Sequence, residues 1–511
     1  MMSKDTVSVA RDRHTFFISL TLLLLLVLFP ILRADRYYSD DVTRAITGFY
    51  GWDANGRHLA MLVMRLLQFN LRHLVDISPL PQIGAIAVLA ATSVLMARRY
   101  RIESPWLAAL IAFPLGAQPF FLENLSYRFD ALGMSLALFT AWLPFMAAGA
   151  ARKGWILGAI ALFASLCFYQ PALTAFLIFT LMELVVGQAE QRPPRELIRT
   201  LAGRVAQCIV AMAAYQLLIA PTIEDWLKEH SATIRGVGEL WVLKRNALDF
   251  YGYMAGAFNT HWLRWAGPLL LVMAAMPALL AFRYARQQRS RWGMVLWPAF
   301  GLLIPFLATL SITLPMLPLR NPVILPRVFM GVGALLCAGL ICICCAIRAW
   351  GRSHRWVMAC ASLWALGMAS FAAVYGNSLG AQKALEERVA STLSNDVAAL
   401  AAEHPVHYIL IDGSVGLAPV TERAAQEFPL IRTLIFPYLR EADFHTSYYL
   451  RYYLSDTPEL AREPGSQARV AAILAQACSA PVLMTRGNYA VRLVDDTVVA
   501  TFPAGTPKGC S

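Results

Sequence analysis

FFISLTLLLLLVLFPIL, residues 16–32, decides the architecture. Almost every side chain in it is apolar, and it is close to the roughly 20 residues a helix needs to cross a bilayer. Lys4, Arg11 and Arg13 precede it; Arg33, Asp35 and Arg36 follow it, where a cleaved leader would carry a small-x-small site. It reads as an uncleaved first span with its N-terminus in the cytoplasm. Ten further spans are expected near residues 80–97, 105–122, 130–150, 155–170, 172–187, 202–220, 265–282, 293–314, 328–347 and 356–375. Backbone amides in lipid must bond within their own segment, so each should be helical. Of the 511 residues, 58% are hydrophobic and 15% charged, and mean hydropathy is +0.52.

The formal charge of +12 does not point to nucleic acid. The basic residues form short clusters between apolar runs, with no zinc-finger spacing or basic heptad region. They are Arg98, Arg99 and Arg101; Arg152 and Lys153; Arg192, Arg195, Arg199 and Arg204; Arg283, Arg286, Arg289 and Arg291; and Arg348, Arg352 and Arg355. Each cluster falls in a short loop that eleven spans would place inside, as the positive-inside rule requires. Residues 57–72 are also rather apolar. But Arg57, Arg65, Gln68 and Arg72 share one helical face, so the segment reads as an amphipathic helix on the outer membrane surface. The expectation is a polytopic α-helical inner-membrane domain over residues 1–376, with the N-terminus cytoplasmic.

From about Asn377 the pattern changes. Leu379–His404 reads as a helix. HYILI at 407–411, Leu430–Phe436 and Pro481–Thr485 read as strands, and Asn488–Val494 with Thr497–Phe502 as a hairpin around Asp495-Asp496. Residues 377–511 are therefore expected to form a small α/β domain on the periplasmic side. Seven of the nine cysteines lie in expected spans; the other two, Cys478 and Cys510, are a candidate disulfide in an oxidising compartment.

Unusual residues concentrate in the loops expected outside. The first, RADRYYSDDVTRAITGFYGWDANGRHLA (33–60), holds Asp40 and Asp41, then Arg44, Trp52 and Arg57. Two carboxylates held close near the membrane raise one pKa, which suits a general base. The aromatic and glycine residues around them suit a platform for a sugar ring. The second loop, ENLSYRFDALG (123–133), brings Glu123, Tyr127, Arg128 and Asp130 to the interface, where charges are costly and usually functional. A tight turn presents Gln170. LPMLPLRNPVILPRVFMG (314–331) is a proline-stiffened segment that offers Arg320 and Arg327, suited to phosphate recognition. No spacing suggests a metal, and no cofactor is expected. There is no P-loop, dinucleotide fingerprint or G-x-S-x-G elbow, which argues against an ATP-driven pump within this chain.

YYSDDVTRAITGFYGWDANGRHLA (37–60) with DISPLPQIGAIAVLA (76–90) resembles the serotype-converting, Gtr-type O-antigen glucosyltransferases. NLSYRFDALGMSLAL (124–138) and the Tyr169-Gln170 turn look like later parts of the same family. The resemblance implies a glycosyltransferase-C architecture and inverting, metal-independent transfer of glucose. The donor would be undecaprenyl-phosphate glucose and the acceptor an O-antigen or similar surface glycan. Asp40 or Asp41 would then be the base, and Trp52 and Tyr127 would line the sugar site. From charge and placement, Arg57, Arg128 and Arg327 are candidates for holding the donor phosphate. The rival readings are a transporter or flippase, an accessory membrane protein, and a glycan polymerase or ligase.

Overall fold

The computed structural model describes residues 4–146, 152–288, 293–441, 444–454, 458–462 and 465–502. The chain divides into two compact units. One comprises Met1–Pro30, Tyr50–Arg72 and Asp76–Ala373; the other comprises Ile31–Phe49, His73–Val75 and Val374–Ser511.

The first unit is helical. Among the described residues, eight helices are long and apolar enough to cross a membrane: His14–Ala34, Leu80–Tyr100, Gln170–Ala189, Pro194–Thr222, Trp262–Gln288, Gly293–Ser311, Gly331–Ala349 and Arg355–Glu403. The side chains they leave exposed include Leu22, Leu26, Leu217, Leu271, Leu302, Phe306 and Leu366, a surface that only lipid covers without penalty. The protein is thus a polytopic helical membrane protein. The spans expected near 105–122, 130–150 and 155–170 fall on shorter helices. Pro114 divides the first into Pro105–Ala112 and Pro114–Ala117, because its ring cannot continue the helical hydrogen bonding. The others are Ala131–Trp142 and Arg152–Phe168.

Gly333 lets Gly331–Ala349 approach this broken helix; a Cβ there would sit 2.8 Å from the Pro114 carbonyl oxygen. Glu183, within Leu173–Ala189, is buried but neutralised: Arg99 and Arg204 reach its two oxygens at 2.8 and 2.9 Å. The amphipathic segment forms a helix only over His58–Leu67. It ends at Gln68 and Phe69, the latter at φ +50°, so Arg72 is outside the helical face expected for it.

Two further expectations are corrected. The last span and the helix after it are one continuous 49-residue helix, Arg355–Glu403. Gly367, Gly376 and Gly380 interrupt good helix formers there, and each glycine costs about 1 kcal/mol, too little at separated positions to break a long helix. Leu430–Phe436 is not a strand: Leu430–Leu434 is a short helix behind Pro429. Leu430, Ile431 and Leu434 all turn inward, a spacing that an apolar run of this length leaves ambiguous.

The second unit carries a four-stranded sheet of β1 (Tyr408–Asp412), β2 (Met484–Thr485), β3 (Ala490–Val494) and β4 (Thr497–Thr501), in the order β1-β4-β3-β2. β1 and β4 are parallel; β3 and β4 form an antiparallel hairpin, with Asp495 at φ +53° in its turn. Alternation along the strands gives the sheet two apolar faces. Ile409, Ile411, Val498 and Ala500 pack with Val389, Leu393 and Val397 of the long helix. Leu410 and Val499 pack with Ile473 and Ala477 of the helix Gln467–Ala477. Asp396 ties the long helix to the β2–β3 hairpin, accepting from the Tyr489 hydroxyl at 2.7 Å and from the Arg486 guanidinium. Cys478 is disulfide-bonded; Cys510 lies outside the described residues.

Candidate functional site

In the helical unit, four polar constellations involve residues singled out from the sequence. Glu123 sits on the short helix Phe121–Ser126 and is buried. One of its oxygens accepts the backbone N–H of Arg327 at 2.6 Å, the other the Arg327 guanidinium at 3.0 Å. That guanidinium also donates to the Tyr127 hydroxyl and lies 5.6 Å from the Tyr127 ring centroid. Arg327 is in a single turn, Pro326–Val328, whose fixed proline φ and whose Arg327 carbonyl, bonded by Asn124 at 3.2 Å, hold the segment. Burial pushes the Glu123 carboxyl above its ordinary value, against the pull of Arg327.

Asp130 accepts a 2.6 Å hydrogen bond from the Trp52 indole. Arg128 pairs with Asp76 at 2.7 Å, and the other Asp76 oxygen accepts the Ser78 N–H. Arg57 donates to Gln170 at 3.4 Å and lies over the Tyr169 ring at 4.6 Å. Gln170 is held by donating to the Asn55 carbonyl and the Tyr215 hydroxyl. Arg57, Arg327, Glu123 and Asp130 all lie within electrostatic reach of Tyr169. Arg320 does not join them; it pairs with Glu239 at 2.5 Å. Asp76 and Tyr169 were not singled out as site residues, although both lie in quoted stretches. A carboxylate in a Pro-rich loop and a tyrosine at a helix turn carry no distinguishing pattern.

Asp40, Asp41 and Arg44 belong to the other unit. The acidic pair is not symmetric. Asp41 opens the helix Asp41–Thr47 and is fully buried, accepting the Tyr38 N–H at 3.3 Å. The Asp40 side chain is 51% exposed, with one oxygen 3.5 Å from His445 Nε2; Ser39 Oγ is 3.2 Å from the same nitrogen. Arg44 donates to the Phe49 carbonyl at 3.5 Å. Behind this loop, Arg36 forms a buried ion pair with Glu386 at 3.0 Å and lies 4.2 Å from the Tyr438 ring centroid. Burial opposes the Arg36 charge, but Glu386 outweighs it and raises the Arg36 pKa. Arg36 also donates to the Phe436 carbonyl, and Tyr38 to that of Leu434. The same unit holds a cavity of about 350 Å³ lined by Gly416, Leu417, Glu422, Arg432, Phe436 and Arg440. The tail partners of Arg36 and Tyr38 were not selected from the sequence, because they lie some 350 to 400 positions away. No group of three or more His, Cys, Asp or Glu side chains among the described residues could hold a metal ion.

Residues 29–338 match a protein family described as glucosyl transferase GtrII. A Salmonella phage P22 protein, described as an uncharacterized 55.3 kDa protein in the gtrB 5′ region, is 26% identical over 427 residues. That alignment covers 82% of this chain and 86% of the phage protein. No solved structure matches the chain.

Proposed function

The chain belongs to the glucosyl transferase GtrII family, and on that premise we propose that it transfers a hexose, glucose by the family's description, from undecaprenyl phosphate to a surface glycan such as O-antigen. The reaction takes place on the periplasmic face of the inner membrane. The topology that goes with it has eleven crossings, short helices included, a cytoplasmic N-terminus, and residues 377–511 outside as a periplasmic α/β domain. The basic clusters in the short loops support this sidedness.

The step is a single inverting displacement. An acceptor hydroxyl oxygen attacks C1 of the donor sugar as its proton passes to a carboxylate. The C1–O bond to phosphate breaks, and its electron pair leaves on the polyprenyl phosphate. Negative charge therefore grows on the leaving group, where a preoriented guanidinium contributes most. Arg327 is suited to that role, and this is the observation that carries the reading: a buried carboxylate and a tyrosine hydroxyl fix its guanidinium. Arg57 and Arg128, each held by its own partner, would share the phosphate charge. Trp52, locked by Asp130, and Tyr127 would flank the sugar. Asp40 is the better base of the acidic pair, because an acceptor can reach it from solvent while Asp41 is enclosed. No metal or cofactor enters. A transporter reading gains nothing from Glu183, whose charge is already paired twice within the bundle.

Donor identity tests this reading. Membranes containing the protein are given surface glycan and either radiolabelled polyprenyl-phosphate glucose or radiolabelled nucleotide-glucose with the polyprenyl-phosphate-loading activity absent. Label should reach the glycan from the lipid donor alone. Transfer from the nucleotide donor alone, or from neither, would overturn it.

A further inference from the structure

We propose that His445, from the C-terminal part of the chain, is a positioning residue for Asp40: it holds one carboxylate oxygen so that the other faces the acceptor hydroxyl. The inference rests on the reading of Asp40 as the base and adds a residue far outside the part of the chain that matches the family, which ends at 338.

The geometry is local to one unit. His445 begins the helix Phe444–Tyr453, which packs on the helix Asp41–Thr47. Its Nε2 lies 3.5 Å from Asp40 Oδ1 and 3.2 Å from Ser39 Oγ. Contacts to a catalytic base are often this long without substrate and tighten when it binds. The imidazole is not free to swing. It packs on the rings of Phe436 and Tyr438, with centroids 5.5 and 6.2 Å away. Its neighbour Thr446 donates to the Arg440 carbonyl at 2.8 Å and fixes the start of the helix. Those rings are themselves held: Arg36 lies against both, Arg440 against Phe436, and Tyr449 stacks on Tyr438. Asp40 and Tyr438 are among the titratable groups facing His445, with Arg36 and Arg440 against the neighbouring rings.

The chemistry follows from the two states of the imidazole. Neutral and protonated on Nε2, it donates to Asp40, orients the carboxylate and leaves it a competent base. As an imidazolium it adds a positive charge beside Asp40, lowers the proton affinity of the carboxylate and weakens the base. Turnover should then fall as pH drops far enough to charge the imidazole. His445 takes no proton from substrate. The acceptor's proton ends on Asp40.

The experiment compares wild type, His445→Ala, His445→Gln and Asp40→Asn as full-length protein in membranes, at matched amounts and with thermal stability measured after detergent extraction. The probe is polyprenyl-phosphate glucose with surface glycan, and kcat and acceptor KM are followed from pH 5.5 to 8.5. His445→Ala should lose roughly tenfold in kcat with acceptor KM nearly unchanged. Gln keeps a donor near the Nε2 position, so His445→Gln should recover most of the rate and lose the low-pH limb. Wild-type kcat and pH profile in both variants would overturn the proposal, as would an equal loss in both with the limb retained. If Asp40→Asn is as active as wild type, the reading of Asp40 as base fails first and takes this role of His445 with it. An inactive Asp40→Asn beside wild-type-like His445 variants removes His445 alone.

Discussion

The two charged constellations of this protein are built in opposite ways. In the helical unit three carboxylates are answered by a cation or an indole from distant sequence: Glu123 by Arg327, Asp76 by Arg128, Asp130 by Trp52. In the other unit two adjacent aspartates are separated by exposure alone, one enclosed and one half open, and the open one faces His445. Paired charges hold a shape and meet a charged ligand without moving; an exposed carboxylate beside a donor is ready to take a proton.

Apart from the acidic pair itself, the largest loss is expected at Arg327. Arg327→Ala leaves Glu123 buried without its cation, which typically costs about 3–5 kcal/mol, and should lower transfer more than hundredfold with reduced stability. Glu123→Gln separates the two effects. Burial raises the Glu123 carboxyl, so its ionised form is a burden on the fold that eases as pH falls toward that raised value. A neutral amide still accepts from Arg327 and removes the buried negative charge, so it should cost less stability than Arg327→Ala while transfer drops through a loosened Arg327. Equal rates in the two proteins would break the assignment of Arg327 as a positioned cation.

Arg128→Ala and Asp76→Ala should each cost roughly tenfold in donor KM, with the double variant little worse than either, as for residues that act as one pair. Additive losses would mean that they act apart. A smaller effect concerns the tail. Arg486, with Tyr489, holds the Asp396 carboxyl below its ordinary value. A depressed carboxylate contributes stability above its unfolded pKa, near 4, and loses it as pH falls through the lower folded value. Acid unfolding of the tail, followed by proteolysis, should therefore shift to higher pH in Arg486→Ala, with transfer at neutral pH nearly unchanged. The smallest effect is at Arg320. Its pair with Glu239 is partly exposed, and such pairs contribute little. Arg320→Ala should change transfer by less than about twofold.

Much of this was legible in the sequence because lipid imposes a long apolar period that no soluble helix needs. The runs near 16–32, 80–97 and 328–347 stand out for that reason. Strands β1, β3 and β4 were legible from apolar stretches bounded by turns, while Leu430–Phe436 was misread because so short an apolar stretch fits either period. Within the site, Glu123, Tyr127 and Arg327 were visible as polar residues at span ends, and the structure brings them into one cluster. Asp76 and His445 were hidden for a different reason. Each acquires its meaning from one partner, 52 and some 400 positions away respectively, and a single sequence carries no mark of such pairs.

The central claim is that one aspartate of the pair, Asp40, is the base of a lipid-phosphate-dependent sugar transfer. Its most direct test measures transfer of radiolabelled glucose from polyprenyl phosphate to surface glycan in membranes carrying wild type, Asp40→Asn or Asp41→Asn at matched expression. Asp40→Asn should reduce transfer by about 10²- to 10⁴-fold, the usual contribution of a general base, with protein level and thermal stability unchanged. Asp41→Asn should act mainly through stability and leave clear activity in the protein that folds. Full activity in Asp40→Asn, or a loss confined to well-folded Asp41→Asn, would contradict the account.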